Sequence, residues 1–182
     1  MTPSNPSTVS SAAEQRQAAV LLEDTFARYQ SELLGTMYLI VGNREDARDA
    51  LQESFLKCWR NIDQVPDITN VKAWVFRIAL NTARDLCKAA WRRRRASLPG
   101  DTDVLPSDQP PPGRQLEQDE QLQRVRAAIA DLRPEEQDVF LLRQNGELTY
   151  EQIADALRIP SGTVKTRMRL ALSRLRAALP AE

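Results

Sequence analysis

Five of the chain's eleven prolines fall between Pro99 and Pro112. Proline removes a backbone donor and clashes with the preceding turn, so no long helix crosses this segment. On both sides of it apolar residues recur at helical spacing. The whole chain holds only six glycines in 182 residues, which favours ordered helix over a β sandwich. These features predict an all-α protein, two small helical domains joined by an extended acidic, Pro-rich linker. Charge follows the same partition although the formal total is zero. Residues 18–95 carry 13 basic and 10 acidic side chains, and residues 121–182 carry 10 and 8. Residues 96–120 carry one and six. Two mildly basic blocks around an acidic one suggest two binding modules and a connector with a separate job. The expected boundaries are a tail at 1–17, a first domain at 18–95, a linker at 96–117 and a second domain at 118–182.

Residues 1–17 are rich in Ser, Thr and Pro and read as a disordered tail rather than a secretory signal. There is no histidine, and Cys58 and Cys87 are far apart with no C-x-x-C pattern. A zinc site would need other ligands, so neither metal nor cofactor is expected. Cys58 falls among apolar helix positions and reads as a small buried hydrophobe. No apolar run approaches a membrane span, and the cysteine usage suits a reducing compartment. A soluble, cytoplasmic protein without membrane insertion is expected.

In the first block, Leu22, Phe26, Tyr29, Leu33, Met37 and Ile40 mark a helix from about Ala18 to Val41, closed by Gly42-Asn43. Asn43 is placed to cap a second helix, about Arg44 to Asn61, with Glu45 and Asp46 favourable in its first turn. That helix has a predicted buried face of Ala47, Leu51, Phe55, Cys58 and Trp59, and an exposed face of Asp46, Asp49, Gln52 and Glu53. A loop at Ile62–Asn70 precedes a third helix, about Val71 to Arg92. Val71, Trp74, Val75, Ile78, Ala79, Thr82 and Leu86 face inward on it. Arg77, Asn81, Arg84 and Lys88 form a polar stripe running into Arg92, Arg93, Arg94 and Arg95.

In the second block, helix resumes near Gln115, and Pro134 suits the first position of a further helix that Gly146 closes. Thr149 and Gln152 form a T-x-x-Q capping box, with Leu148 and Ile153 placed as a hydrophobic staple. Pro160 ends that short helix, and Ser161 is the expected cap of the last one. Turning about 100° per residue puts Val164, Met168, Ala171 and Leu175 on one side. Gly162, Lys165, Thr166, Arg169, Ser173 and Arg176 fall on the other. No acidic residue occurs between Ala156 and Ala181. A capped scaffold helix followed by one with a buried stripe and a basic outer face fits a helix-turn-helix that enters the major groove. The same face would also serve as the solvated side of an ordinary helical hairpin.

Two further constellations have a functional and a bland reading. The acidic face of the second helix is either a docking surface or merely solvated; acid–base work would need a cleft and perturbed carboxylates. The Arg77–Lys88 stripe is either surface or a track along phosphates, and four consecutive arginines favour an anion there. Trp59, Trp74 and Phe76 offer stacking surfaces for unpaired bases, but helical spacing assigns Trp59 and Trp74 to the core.

DARDALQESFLKCW (46–59) is similar to the D-A-x-D-x-x-Q-E-x-F pattern in region 2 of bacterial sigma factors. VKAWVFRIALNTARD (71–85) resembles the W-L-[FY]-x-I-A-x-N segment that follows it, and the block from Leu132 to Arg176 resembles region 4. With only a linker between them, this is the layout of the extracytoplasmic-function (ECF) group. The resemblance implies a region 2 helical bundle and a region 4 helix-turn-helix in a transcription initiation factor, not an enzyme. Its partners would be core RNA polymerase, through clamp and flap, promoter DNA, and an anti-sigma factor or another regulator.

Residue by residue, the resemblance implies that Asp46, Asp49, Gln52, Glu53 and Phe55 dock on polymerase or support that surface. Asn70, in the loop, and Asn81 would meet the melted −10 strand. Arg77, Arg84, Lys88, Arg92, Arg93, Arg94 and Arg95 would follow its backbone. Gly162, Thr163, Lys165, Thr166 and Arg169, with Ser161 and Arg167 beside them, would enter the −35 groove. Leu170 stands where relatives often carry a basic residue. The acidic linker is expected to thread into a positively lined polymerase channel. A stand-alone helix-turn-helix repressor would explain Leu148–Arg176 but leave the D-x-x-Q-E-x-F surface without a purpose. A carboxylate hydrolase would need clustered acids with His, Cys or Gly-rich support, which the sequence lacks.

Overall fold

A computed structural model describes residues 6–96 and 115–179. The first module comprises α1 (Pro6–Arg28), α2 (Gln30–Val41), α3 (Arg44–Arg60), a short 3-10 helix (Ile62–Asp67) and α4 (Val71–Ala96). The second comprises α5 (Gln115–Ala130), α6 (Pro134–Gln144), α7 (Tyr150–Leu157) and α8 (Ser161–Ala178). No strand occurs among the described residues. Most of the linker, and with it the expected path through polymerase, lies outside them.

Several elements differ from expectation. Residues 1–5 of the tail lie outside the described residues, but α1 is helical from Pro6 onward. Proline suits a first helical turn, and the AAEQRQ run at 12–17 is made of strong helix formers. Gln15 Nε2 donates to Asp63 Oδ1 at 2.9 Å, tying this helix to the 3-10 segment. The single helix expected over Ala18–Val41 bends at Tyr29, although Tyr29 N–H still donates to Thr25 and Leu33 N–H to Tyr29. The Tyr29 ring meets Phe76 edge-on at 6.3 Å and carries the Lys72 ammonium 4.1 Å above it. The loop after α3 is mostly 3-10 helix, pinned by buried Val65.

Caps fix the starts of the helices. Gly42 closes α2 at φ +93°, a left-handed conformation that other side chains resist. Asn43 Oδ1 accepts from Asp46 N–H at 2.8 Å and starts α3. Thr149 and Gln152 form the reciprocal capping box of α7. The cap of α8 is Pro160, without a side-chain bond, and Ser161 is its first helical residue rather than its cap. The preceding turn needs Arg158 at φ +55°, so that Arg158 N–H and Ile159 N–H can close onto the last carbonyls of α7.

The first core gathers Leu22, Leu33, Met37, Ala47, Ala50, Cys58 and the inner face of α4. On α4, Trp74, Val75, Phe76, Ala79, Leu80 and Ala83 are all buried, because neighbours cover the helix on several sides. Phe76 and Trp74 are thereby removed as stacking surfaces. Trp59 departs the other way. It is 41% exposed and stacks on Phe55, which meets Phe26 edge-on. The α3 helix turns Ala50 and Ser54 inward instead, so Leu51 and Phe55 are only half-buried. Burial pushes the Cys58 thiol up to about 12, as befits an inert core residue.

The second core is built from Ile129, Leu132, Val139, Leu142, Leu148, Ile153, Val164, Met168 and Ala171. Glu136, also buried, pairs with Arg174 at 3.2 Å and accepts from Arg133 N–H, joining the start of α6 to α8. A Cβ at Gly146 would come 2.6 Å from the Leu142 carbonyl, so the α6–α7 turn requires glycine. The modules touch where α4 meets α6 and α7, and where α2 meets α5.

Candidate functional surfaces

On α8, Val164, Met168, Ala171 and Leu175 are buried, and Gly162, Lys165, Thr166, Arg169, Ser173 and Arg176 are exposed. The predicted wheel is the observed one. Ser161, Thr163 and Arg167 are half-buried at its margins. Thr166 Oγ1 donates to Gly162 C=O at 3.0 Å, which fixes the hydroxyl's direction at the mouth of the helix. Added bulk at Gly162 would touch nothing within 4 Å, so the fold itself does not require glycine there. Leu170, 36% exposed, puts an apolar side chain on an otherwise basic helix.

On α3, Asp46, Asp49 and Gln52 are exposed and Glu53 is half-buried. Glu53 makes a long ion pair with exposed Arg60 at 3.6 Å, and Lys57 pairs with Asp85 at 3.5 Å. Beside this acidic strip lies an open depression of about 550 Å³ lined by Phe26, Leu51, Gln52, Phe55 and Leu56. Phe55 thus forms an apolar floor next to carboxylates, a combination that periodicity alone had divided between core and surface.

The α4 stripe is split. Asn81 and Lys88 are exposed, as is Arg92, whose Nε reaches Lys88 C=O at 3.4 Å. Arg93 is exposed too, whereas the side chains of Arg94 and Arg95 lie outside the described residues. Asn70 serves the fold, since its Oδ1 accepts from Ala73 N–H at 3.0 Å and caps α4.

Arg77 and Arg84 are not open to solvent as a phosphate track would be. Arg77 donates to Ala156 C=O at 2.9 Å, one of the orphan carbonyls at the end of α7, where a cation also suits the helix dipole. Arg84 donates to Pro134 C=O and Gln137 Oε1, each at 3.2 Å, and pairs with Asp138. Desolvation by burial raises the Asp138 carboxyl above its ordinary range, even though Arg84 and then Arg167 pull it down; Glu135 adds to the rise. Arg126 on α5 reaches back to α2, donating to Tyr38 Oη at 3.0 Å and to Gly42 C=O. Asp138 and Arg126 carried no signal in the sequence, because neither belongs to a periodic face or a motif. No group of three or more His, Cys, Asp or Glu among the described residues is placed to hold a metal ion. No helix among them is long and apolar enough to cross a membrane.

Two helical modules, the second ending in a helix-turn-helix with a basic outer face, define the all-α architecture. Residues 25–93 match the sigma-70 region 2 family and residues 122–175 match sigma-70 region 4. The chain is 31% identical over 162 residues to the ECF RNA polymerase sigma factor SigE of Mycolicibacterium smegmatis, covering 88% of this chain and 62% of that relative. It is 30% identical over 154 residues to the ECF RNA polymerase sigma-E factor of Haemophilus influenzae, covering 78% of each. The fold is similar to that of the sigma factor RpoE of Bartonella quintana, solved in complex with the anti-sigma factor NepR. That likeness has a TM-score of 0.67 at 22% identity, over 88% of this chain and 97% of the other. The chain belongs to the ECF subfamily of RNA polymerase sigma factors.

Proposed function

We propose that this chain binds core RNA polymerase and directs it to specific promoters, gripping each at two places. The α3 strip of Asp46, Asp49, Gln52 and Glu53, floored by Phe55, docks on the clamp, and the second module docks on the flap. Asn70, Arg77, Asn81, Arg84, Lys88 and Arg92–Arg95 hold the melted −10 element. Extruding a base costs a few kcal/mol of unstacking, which a pocket for that base offsets. The outer face of α8, from Ser161 to Arg169, reads the −35 groove. Polymerase holds the two weak DNA contacts at high effective concentration on one promoter. The chain performs no chemistry of its own, acts in the cytoplasm, and is held in check by an anti-sigma factor or another regulator.

The observation that carries this reading is the division of α8 into a wholly buried apolar stripe and an exposed face without one acid. The α3 strip, exposed beside an apolar depression, supports polymerase docking over a stand-alone repressor. A pull-down tests that choice. Core polymerase retains the wild-type chain, and the double charge reversal Asp49→Lys with Glu53→Lys abolishes retention while duplex −35 binding by α8 persists. Retention of the reversed variant at wild-type level would contradict the assignment.

A further inference from the structure

Stacking on a nucleobase needs an exposed aromatic face. Trp74 and Phe76 are buried, and Trp59 is stacked on Phe55 with ring centroids 5.8 Å apart. Trp91 is different. At 54% exposure it is more open than any other aromatic residue of the chain, although neither periodicity nor a motif gave it a role. Its phase on α4 supplies one. With Arg77 at zero and about 100° per residue, Asn81, Arg84, Lys88 and Trp91 all fall within about 40° of one line. Trp91 is thus the next member of the stripe assigned to the −10 strand, and an apolar one among polar side chains. Asn81, Lys88 and Trp91 are exposed together, with Arg92 and Arg93 exposed beside them. No acid occurs between Asp85 and Asp101.

A large flat ring in an acid-free, cationic surface suits a partner that carries both negative charge and unsaturated rings. A nucleic-acid strand has both, and an acidic peptide has only the charge. From Asn81 to Trp91 is roughly 15 Å along the helix at ~1.5 Å per residue. That distance is about four nucleotides of strand at ~3.4 Å each. We infer that Trp91 is a base-stacking platform, its indole lying against an unpaired base about four nucleotides from the one that Asn81 meets. Lys88, Arg92 and Arg93 hold the flanking phosphates. The spacing from Asn81 rests on the proposed function, whereas stacking itself rests on the exposed ring and its cationic surroundings. Every base has a π face, so the platform adds affinity without sequence preference.

An abasic strand separates stacking from charge, because it keeps the phosphates and lacks the rings. The test measures affinity of the full chain for single-stranded dT20 and for an abasic strand of equal length, by fluorescence anisotropy. Wild type should prefer dT20 about fivefold or more, with its tryptophan emission quenched on binding. Trp91→Ala should lose most of that preference and of the quenching, while its abasic affinity stays unchanged. Trp91→Phe should keep the preference, since a ring remains, and lose the quenching; Trp59→Phe should keep both. Should Trp91→Ala lose its helical circular dichroism, Trp91→Phe decides alone, and quenching that persists in it would overturn the platform. So would an undiminished preference in Trp91→Ala, or wild type binding the two strands equally or not at all. Loss of core polymerase retention by Trp91→Ala, with its dT20 preference intact, would place the ring in a protein interface instead. In the holoenzyme, single abasic sites scanned along the promoter strand should weaken wild type at a position about four nucleotides from the Asn81 base, and not weaken Trp91→Ala there. No such position would overturn the spacing. Run-off transcription by the wild-type chain judges the proposed function separately: its absence refutes promoter direction, while the abasic comparison still judges Trp91.

Discussion

Arg84 on α4 and Asp138 on α6 form an ion pair that joins the two modules, with side chains only 18% and 20% exposed. Burial dominates the carboxylate's environment, so Asp138 keeps its proton to higher pH in the native chain than in the unfolded one, where the usual value is 3.8. Between those two values the native state binds more protons, and stability falls as pH rises through that window. Asp138→Asn removes the ionised form. The variant should melt at higher temperature than wild type at pH 7, with the difference shrinking to nothing below pH 3.8. Calorimetry of both proteins across that range checks it; a constant difference at all pH values would contradict the buried-carboxylate origin.

Lys165 and Arg92 are both exposed cations, but they have different assigned targets. Lys165→Ala should cost about 1–3 kcal/mol on the cognate −35 sequence and much less on a scrambled one. Arg92→Ala should weaken binding evenly across sequences and reduce the salt slope by about one. Affinities of polymerase holoenzyme for matched and scrambled promoters over a salt series distinguish the two effects.

Gly162 offers a cleaner separation of fold from function. Nothing in the protein would meet a Cβ there, and alanine is the better helix former by up to ~1 kcal/mol. Gly162→Ala should therefore leave the melting temperature unchanged or raised while lowering −35 affinity at least about fivefold, the methyl keeping the backbone from the groove. A binding loss matched by a stability loss would place the effect in the fold instead.

Leu170 is an apolar residue at a position where the helix is otherwise basic. Leu170→Lys should tighten promoter binding and steepen the salt dependence by about one phosphate contact. The comparison is again a salt titration, and an unchanged slope would mean that this turn of α8 does not reach the backbone.

The α8 wheel was legible because burial there follows one helical period against one neighbouring surface. Asn43, Thr149 and Pro134 were legible because caps are local chemistry. Where several helices converge, period loses its meaning. The α3 helix turns Ala50 and Ser54 inward and leaves Trp59 on the surface, since small residues let helices approach closely and a ring laid over Phe55 needs no interior. Tyr29 broke a helix without a glycine or proline to announce it. Arg77, Arg84 and Arg126 were read, or passed over, as surface cations. Their carbonyl and carboxylate partners lie fifty or more residues away, and no pattern along the chain records such a meeting.

Run-off transcription with purified core polymerase on genomic fragments tests the central claim most directly. With the chain added, discrete transcripts should start at mapped sites sharing −10 and −35 elements, and scrambling either element should abolish them. Core enzyme giving the same products with and without the chain, on every fragment, would contradict its role as a promoter-directing subunit.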